Sequence, residues 1–142
     1  MSSNSKFLEQ YAIDLITQYE ASNEFLKAIY ISEILIDVYK KDNKRNNDKQ
    51  ALFCKIAKNY EKAADLLNWN HLPNARQIID LIQKAMRFWA FSKSANAQNE
   101  RKRLAKKIEP VKKLSLNNIK KISGKSFDLS EIRRSHRGSI QD

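Results

Sequence analysis

Cysteine, glycine and proline are almost missing from this sequence, at one, two and two in 142 residues. The lone thiol, Cys54, excludes an internal disulfide framework and suits a reducing compartment. Both glycines, Gly124 and Gly138, fall in the last twenty residues. The glycine-free stretch before them has little from which to build the positive-φ turns of β-hairpins, so an all-α body is expected. Histidine is scarce too. His71 sits in a polar stretch and His136 among arginines, and neither has a second cysteine or a carboxylate cluster at ligand spacing. Both read as solvated side chains rather than as zinc ligands or catalytic bases. Gly124-Lys125-Ser126 has the end of a phosphate-binding loop without its first glycine, because Ile119 stands in that place and no strand precedes it. No catalytic residue, metal or cofactor is expected. No apolar run reaches the ~20 residues that span a bilayer, and MSSNSKFLEQ lacks the charged-then-apolar order of a secretory signal. The expected location is cytoplasmic, or peripheral on intracellular membranes.

What the chain does have is positive charge and helical periodicity. The formal net charge is +11, and it is uneven. Residues 1–92 carry 13 Lys/Arg against 11 Asp/Glu, whereas residues 93–142 carry 14 against 5. A nearly neutral body thus precedes a basic segment that suits polyanions: nucleic acid, an anionic membrane surface or an acidic protein. At 42% apolar residues, the chain can form one domain that buries roughly 70% of its unfolded surface.

Apolar residues recur in steps of three and four, which places them on one face of a helix. The first helix is expected over Lys6 to Ala21 with Ser5 as its cap, carrying Leu8, Tyr11, Ala12, Leu15, Ile16 and Tyr19. A break at Ser22-Asn23 leads to a second helix, from Glu24 to about Lys41, that is apolar on more than one face and so is expected to pack between neighbours. Lys41 to Lys49 reads as a charged loop, with Asp48 capping the next helix. The strongest signal runs from Ala51 to Phe91. Leu52, Ile56, Tyr60, Ala63 and Leu67 mark one helix, and Ala75, Ile78, Ile79, Ile82, Met86 and Trp89 mark the next. Between them, Asn70 is the expected cap and Pro73 sits in the first turn. Ala57, Ala63, Ala64, Ala75 and Ala85 would let the two helices approach closely, with Phe88, Trp89 and Phe91 closing the core. Trp69, at the turn, reads equally as an exposed contact or a staple, and Cys54 as a small packing residue.

Beyond the break at Ser92–Asn99, with Ser94 as its cap, a basic helix from Glu100 to Ile108 should stop before Pro110. A weak helix over Leu116 to Ile122 and a disordered stretch of about fifteen residues complete the expectation. The architecture is therefore an all-α, tetratricopeptide-like stack of helical hairpins with a basic C-terminal helix and a flexible tail. Residues 1–109 form the hairpin domain and 110–142 the tail.

Two basic sets are candidate binding sites. Lys55, Lys58 and Lys62 follow helical spacing, as do Arg76, Lys84 and Arg87. They read either as a solvated face or as a surface that docks an acidic helical partner. Arg101, Lys102, Arg103, Lys106, Lys107, Lys112 and Lys113 form a polyanion-binding candidate, continued by Lys120, Lys121, Lys125, Arg133, Arg134 and Arg137. Phosphate contacts from this set would be steeply salt-dependent. One aromatic in the tail, Phe127, gives little for base stacking, and Leu104, Ile108, Val111 and Leu114 give a thin apolar stripe for a membrane.

Ala51-Leu52-Phe53, Lys58-Asn59-Tyr60-Glu61-Lys62-Ala63, Leu72-Pro73-Asn74-Ala75 and Lys84-Ala85 resemble the hairpin repeats of soluble NSF attachment proteins, most of all the gamma type. Arg103, Lys107, Ile108 and Glu109 extend the similarity downstream, and Glu9, Tyr11, Ala12, Phe25 and Ala28 resemble the preceding hairpin. That family implies a helical stack without catalytic residues that binds bundles of SNARE helices and recruits the NSF ATPase. This chain is about half the family's usual length and lacks the C-terminal helical bundle that engages the ATPase, so a relative that only binds is expected. A second likeness runs through Tyr11-Ala12-Ile13-Asp14-Leu15-Ile16-Thr17, Ala28 and the helix from Lys55 to Leu66. These are similar to microtubule-interacting-and-trafficking domains, three-helix bundles that bind tail helices of ESCRT subunits. Both likenesses imply a non-enzymatic adaptor in vesicle-mediated protein transport that recognises helices. The alternative is a small basic nucleic-acid-binding protein.

Overall fold

A computed structural model describes residues 3–123, and among them the regular structure is entirely helical. Five α-helices come in order: α1 (Ser3–Ala21), α2 (Phe25–Tyr39), α3 (Asn46–Asp65), α4 (Ala75–Ser92) and α5 (Ala97–Ser123). Short 3-10 turns, Asn43–Arg45 and Leu72–Asn74, lead into α3 and α4. Each helix packs on the one before and the one after, α3 against α4 most extensively. The result is an all-α stack of hairpins.

The hairpin of α3 and α4 is the centre of the core. Ile56, Ile78 and Ile82 have no exposed surface, and Ala57, Ala64 and Ala85 are equally buried. Each fully buried isoleucine contributes about 1.5–3 kcal/mol. The alanines at the crossing allow the helix axes to approach, as their spacing suggested. α5 adds Leu104, Ile108 and Val111 to the same core, at 0%, 1% and 3% exposure.

Several local expectations are corrected. Ser5 lies inside α1, which begins at Ser3. The charged loop is shorter than expected: Asp42 accepts a hydrogen bond from the Lys44 amide (3.0 Å), and α3 starts at Asn46. Asp48 is therefore in the first turn of α3, where it pairs with Arg45 instead of capping. Asn70 does not cap α4. Its amide is held by the Asn68 side chain (3.0 Å) in an Asx-type turn, and Pro73 occupies the 3-10 turn before Asn74. Ser94 precedes α5 by three residues, and its hydroxyl bonds the Asn96 side chain. α2 spans Phe25–Tyr39 and packs between α1 and α3 as expected, but its remaining side, with Leu26, Tyr30, Ile34 and Val38, is left exposed.

The largest correction concerns Pro110. α5 does not stop there; it runs through the proline to Ser123 and absorbs the weak helix expected over Leu116 to Ile122. Proline removes one N–H and crowds the carbonyl four residues back, at about 3 kcal/mol in a helix interior. Here Leu104 and Ile108 before it and Val111 after it are all buried on one face, and their packing outweighs the local penalty. The expected boundary between residues 109 and 110 thus falls mid-helix, with Val111 part of the core. The expected disorder, the Gly124-Lys125-Ser126 motif and His136 lie outside the described residues.

Candidate functional site

Ion pairs connect alternate helices on one side of the stack. Glu20 of α1 accepts from Lys55 (3.2 Å) and from the buried Asn59 amide (2.8 Å) of α3. Glu9 of α1 accepts from Arg45 and from the Tyr39 hydroxyl (2.8 Å). The Arg45 guanidinium, aided by that hydroxyl, outweighs partial burial and lowers the Glu9 carboxyl below its ordinary range. Tyr39 is shifted the other way, by burial first and by the Glu9 carboxylate second. Between α3 and α5, Glu61 accepts from Arg103 (2.6 Å) and Lys107 (2.6 Å), and Lys107 also reaches Asp65 (2.9 Å). Arg103, followed by Lys107, brings Glu61 down to about 2 against a burial effect of opposite sign. Burial alone would lower Lys107, and Glu61 and Asp65 reverse that, so its ammonium is held above the ordinary lysine value.

On the other side, α2 and α4 stand apart over α3 and leave a cleft of about 410 Å³. Glu33, Ile36, Asp37 and Lys40 form its α2 wall, Phe88 and Phe91 its α4 wall, and Phe53 its floor. The rings of Phe53, Phe88 and Phe91 form a mutual cluster with centroids 5.5–6.0 Å apart, and Tyr60 joins Phe88 at 5.7 Å. Burial raises the Tyr60 phenol, followed by the nearby charges of Glu33 and Asp80, with Arg87 opposing them. Those three groups place Tyr60 between the α2 and α4 walls. A second hollow of about 380 Å³ continues beyond Phe53 and Phe91, lined by Asn46, Lys49, Gln50, Ala90 and Lys93. Trp89 is buried and closes the core as expected, but Phe91 is 49% exposed and serves the cleft instead.

The structure separates the first basic set. Lys55, Lys58 and Lys62 lie across α3 from Tyr60, given 100° per residue. Lys55 is engaged by Glu20, and the Lys62 ammonium lies 5.8 Å from the Phe25 ring centroid. Arg76, Lys84 and Arg87 follow one stripe of α4, with Arg76 in its first turn and Arg87 next to the cleft-lining Phe88. Lys84 pairs with Asp80 (3.1 Å) and stands 6.0 Å from the Tyr60 ring. The six cations do not form one patch.

The second set divides as well. Arg103 and Lys107 are used internally, whereas Arg101, Lys102, Lys106, Lys112 and Lys113 are exposed and make no ion pair among the described residues. Lys102, Lys106 and Lys113 share the outer side of α5. Trp69 proves a staple: its indole N–H donates to the Ala64 carbonyl (2.9 Å) at the end of α3, and Lys107 sits 5.3 Å from its ring. Cys54 is half-buried against the core and His71 is exposed.

Sequence reasoning missed Glu33, Asp37 and Phe53 as cleft residues and Glu61 as a cross-link. The signal for Phe53 was present in its spacing to Tyr60 on α3, and that for Glu61 in being a carboxylate beside an otherwise cationic helix. Among the described residues no group of His, Cys, Asp and Glu side chains could hold a metal ion, and no helix is long and apolar enough to cross a membrane. Comparison with known proteins yields no matching family model, no matching curated protein and no matching solved structure.

Proposed function

We propose that this chain is a non-enzymatic adaptor that docks a helical protein partner in the cleft between α2 and α4. The observation that carries the reading is the cleft's construction. It has Phe53 as its floor, Phe88 and Phe91 on the α4 wall, and the charged groups Glu33, Asp37 and Lys40 on the α2 wall, with Arg87 next to Phe88 in sequence on α4. An amphipathic helix presents the matching features, an apolar stripe flanked by charges of both signs. The walls fix its orientation while the aromatic rings supply most of the affinity. The resemblance to soluble NSF attachment proteins makes a SNARE bundle the first partner to try, and that to microtubule-interacting-and-trafficking domains makes an ESCRT tail helix the second. Both suit a role in vesicle-mediated transport, peripheral to membranes.

A second reading has its own observation. Five exposed cations of α5, Arg101, Lys102, Lys106, Lys112 and Lys113, have no carboxylate partner among the described residues and suit a phosphate backbone or an anionic membrane. Truncation at residue 110 would remove Val111 from the core, so charge reversal is the cleaner probe. Fluorescence anisotropy at low salt, with labelled SNARE bundle, ESCRT tail peptide and single-stranded oligonucleotide, separates the readings. The adaptor reading expects a protein ligand whose affinity drops about tenfold in Phe91→Ala and Arg87→Glu and is unchanged in Lys102→Glu/Lys106→Glu. Binding of the oligonucleotide alone, lost only in the lysine variant, would overturn it in favour of nucleic acid.

A further inference from the structure

Two faces of the stack are left open by the described residues, and they complement one another. At the N-terminal end, Phe7, Leu8 and Tyr11 of α1 are 70%, 63% and 56% exposed, and Tyr30, Ile34 and Val38 of α2 are 65%, 46% and 48% exposed. The hydrogen bond from Tyr39 to Glu9 brings the start of α1 level with the end of α2. Residues 3–39 hold six Asp/Glu against two Lys. Asp14, Glu33 and Asp37 are exposed there, and none is paired to another helix.

At the opposite end, α5 has 27 residues and α4 has 18. The two are joined by a short connection, so the last turns of α5 project past α4 by about 13 Å. The stripe that buries Leu104, Ile108 and Val111 continues on this projection as Ile119 and Ile122, which are 51% and 79% exposed. Lys112, Lys113, Lys120 and Lys121 flank it. α5 as a whole carries nine Lys/Arg against two Glu.

We infer that the chain self-associates head to tail, with the basic, apolar projection of α5 in one copy lying along the α1–α2 face of the next. Each end is repelled by its own kind and attracted by the other, which excludes a two-fold arrangement of like faces. The same molecule supplies both halves of the match, in equal number and at the same concentration. Such a heterologous contact does not close on itself after two copies, so chains grow with concentration. The interface is small, and a dissociation constant of about ten to a hundred micromolar is expected. The face shares Glu33 and Asp37 with the α2 wall of the cleft but not its aromatic rings, so Phe91→Ala should leave self-association intact.

Sedimentation velocity on the full chain, from about 5 to about 500 µM, tests it. The mass should rise past that of a dimer, and raising NaCl from about 0.05 M to about 0.5 M should weaken association about tenfold. Tyr11→Lys/Ile34→Lys blocks one face and Ile119→Glu/Ile122→Glu the other. All four positions are exposed, and circular dichroism checks that each variant keeps its helicity. Each variant alone should be monomeric, and their equimolar mixture should form a one-to-one heterodimer and stop there. A wild-type chain that stays monomeric throughout overturns the inference and leaves the faces to a foreign protein or to residues 124–142. A wild-type dimer that never grows, or a mixture that forms no heterodimer, overturns it equally.

Discussion

Replacing Glu61 with Gln tests how α5 is fastened to the stack. The carboxylate accepts from both Arg103 and Lys107, and its pKa falls from 4.5 to about 2, chiefly through Arg103. At 1.36 kcal/mol per unit the full shift would be worth about 3 kcal/mol. Arg103 is half exposed (48% of its side chain), so solvent screening cuts the expected loss to roughly 1–2 kcal/mol. With a urea slope of about 2 kcal/mol per molar, the unfolding midpoint of Glu61→Gln should fall by roughly 0.5–1 M at pH 7. The pH dependence is set by the direction of the shift. A folded-state pKa below the unfolded one stabilises fully above about 4.5, and the contribution is lost as pH falls through 4.5 toward 2. The gap between wild type and Glu61→Gln should therefore shrink by more than half between about pH 5 and pH 3. Glu109→Gln, exposed on α5 and without an ion pair among the described residues, should move the midpoint by less than about 0.2 M. An equal gap at pH 5 and pH 3 would mean that Glu61 acts through shape and hydrogen bonding rather than charge. No gap at pH 7 would mean that the packing of Leu104, Ile108 and Val111 alone holds α5.

Two further substitutions address the backbone. Pro110→Ala restores the missing N–H in the middle of α5 and should raise stability by about 1–3 kcal/mol, with slower amide exchange over residues 106–114; an unchanged melting temperature would show that the helix is already relaxed around the proline. Lys93, which ends α4, is held at φ 53, a left-handed conformation that costs a side-chain-bearing residue roughly 1 kcal/mol, so Lys93→Gly should raise the melting temperature by a few degrees, and a fall would place the entropy of the added glycine above the relieved strain.

Local periodicity made the helices legible because it reports which side of each one avoids water. Ile56, Ile78, Ile82 and Trp89 were all expected in the core and are buried there. It does not report what covers that side. The apolar residues of α1 and α2 read as packed, yet Leu8, Tyr11, Ile34 and Val38 carry the same signal and stay exposed, because the hairpin lies at the end of the stack. The relative placement of the cationic candidates was not legible for a related reason. Spacing put Lys55 and Lys58 with Lys62, and Lys84 with Arg87, but whether the two helices turn these rows to a common side depends on their crossing. Pro110 shows the opposite case, a strong local stop signal overruled by burial of Val111 one residue later.

The two sides of the stack differ in how alternate helices are held. α1 and α3 are joined through Glu20, Lys55 and Asn59, and α3 and α5 through Glu61, Arg103 and Lys107. α2 and α4 face each other across the cleft without any such ion pair among those that connect the described residues. The α2 wall bears Glu33, Asp37 and Lys40, and the α4 wall bears Phe88 and Phe91. A helix laid in the cleft can meet Glu33 directly, and can meet Asp37 in competition only with the exposed Asp37–Lys40 pair (3.7 Å). The ion-paired side would meanwhile hold α1, α3 and α5 in register. The cleft between α2 and α4, the proposed binding site, thus arises from the same alternation of helices that lets α1, α3 and α5 be ion-paired on the opposite side.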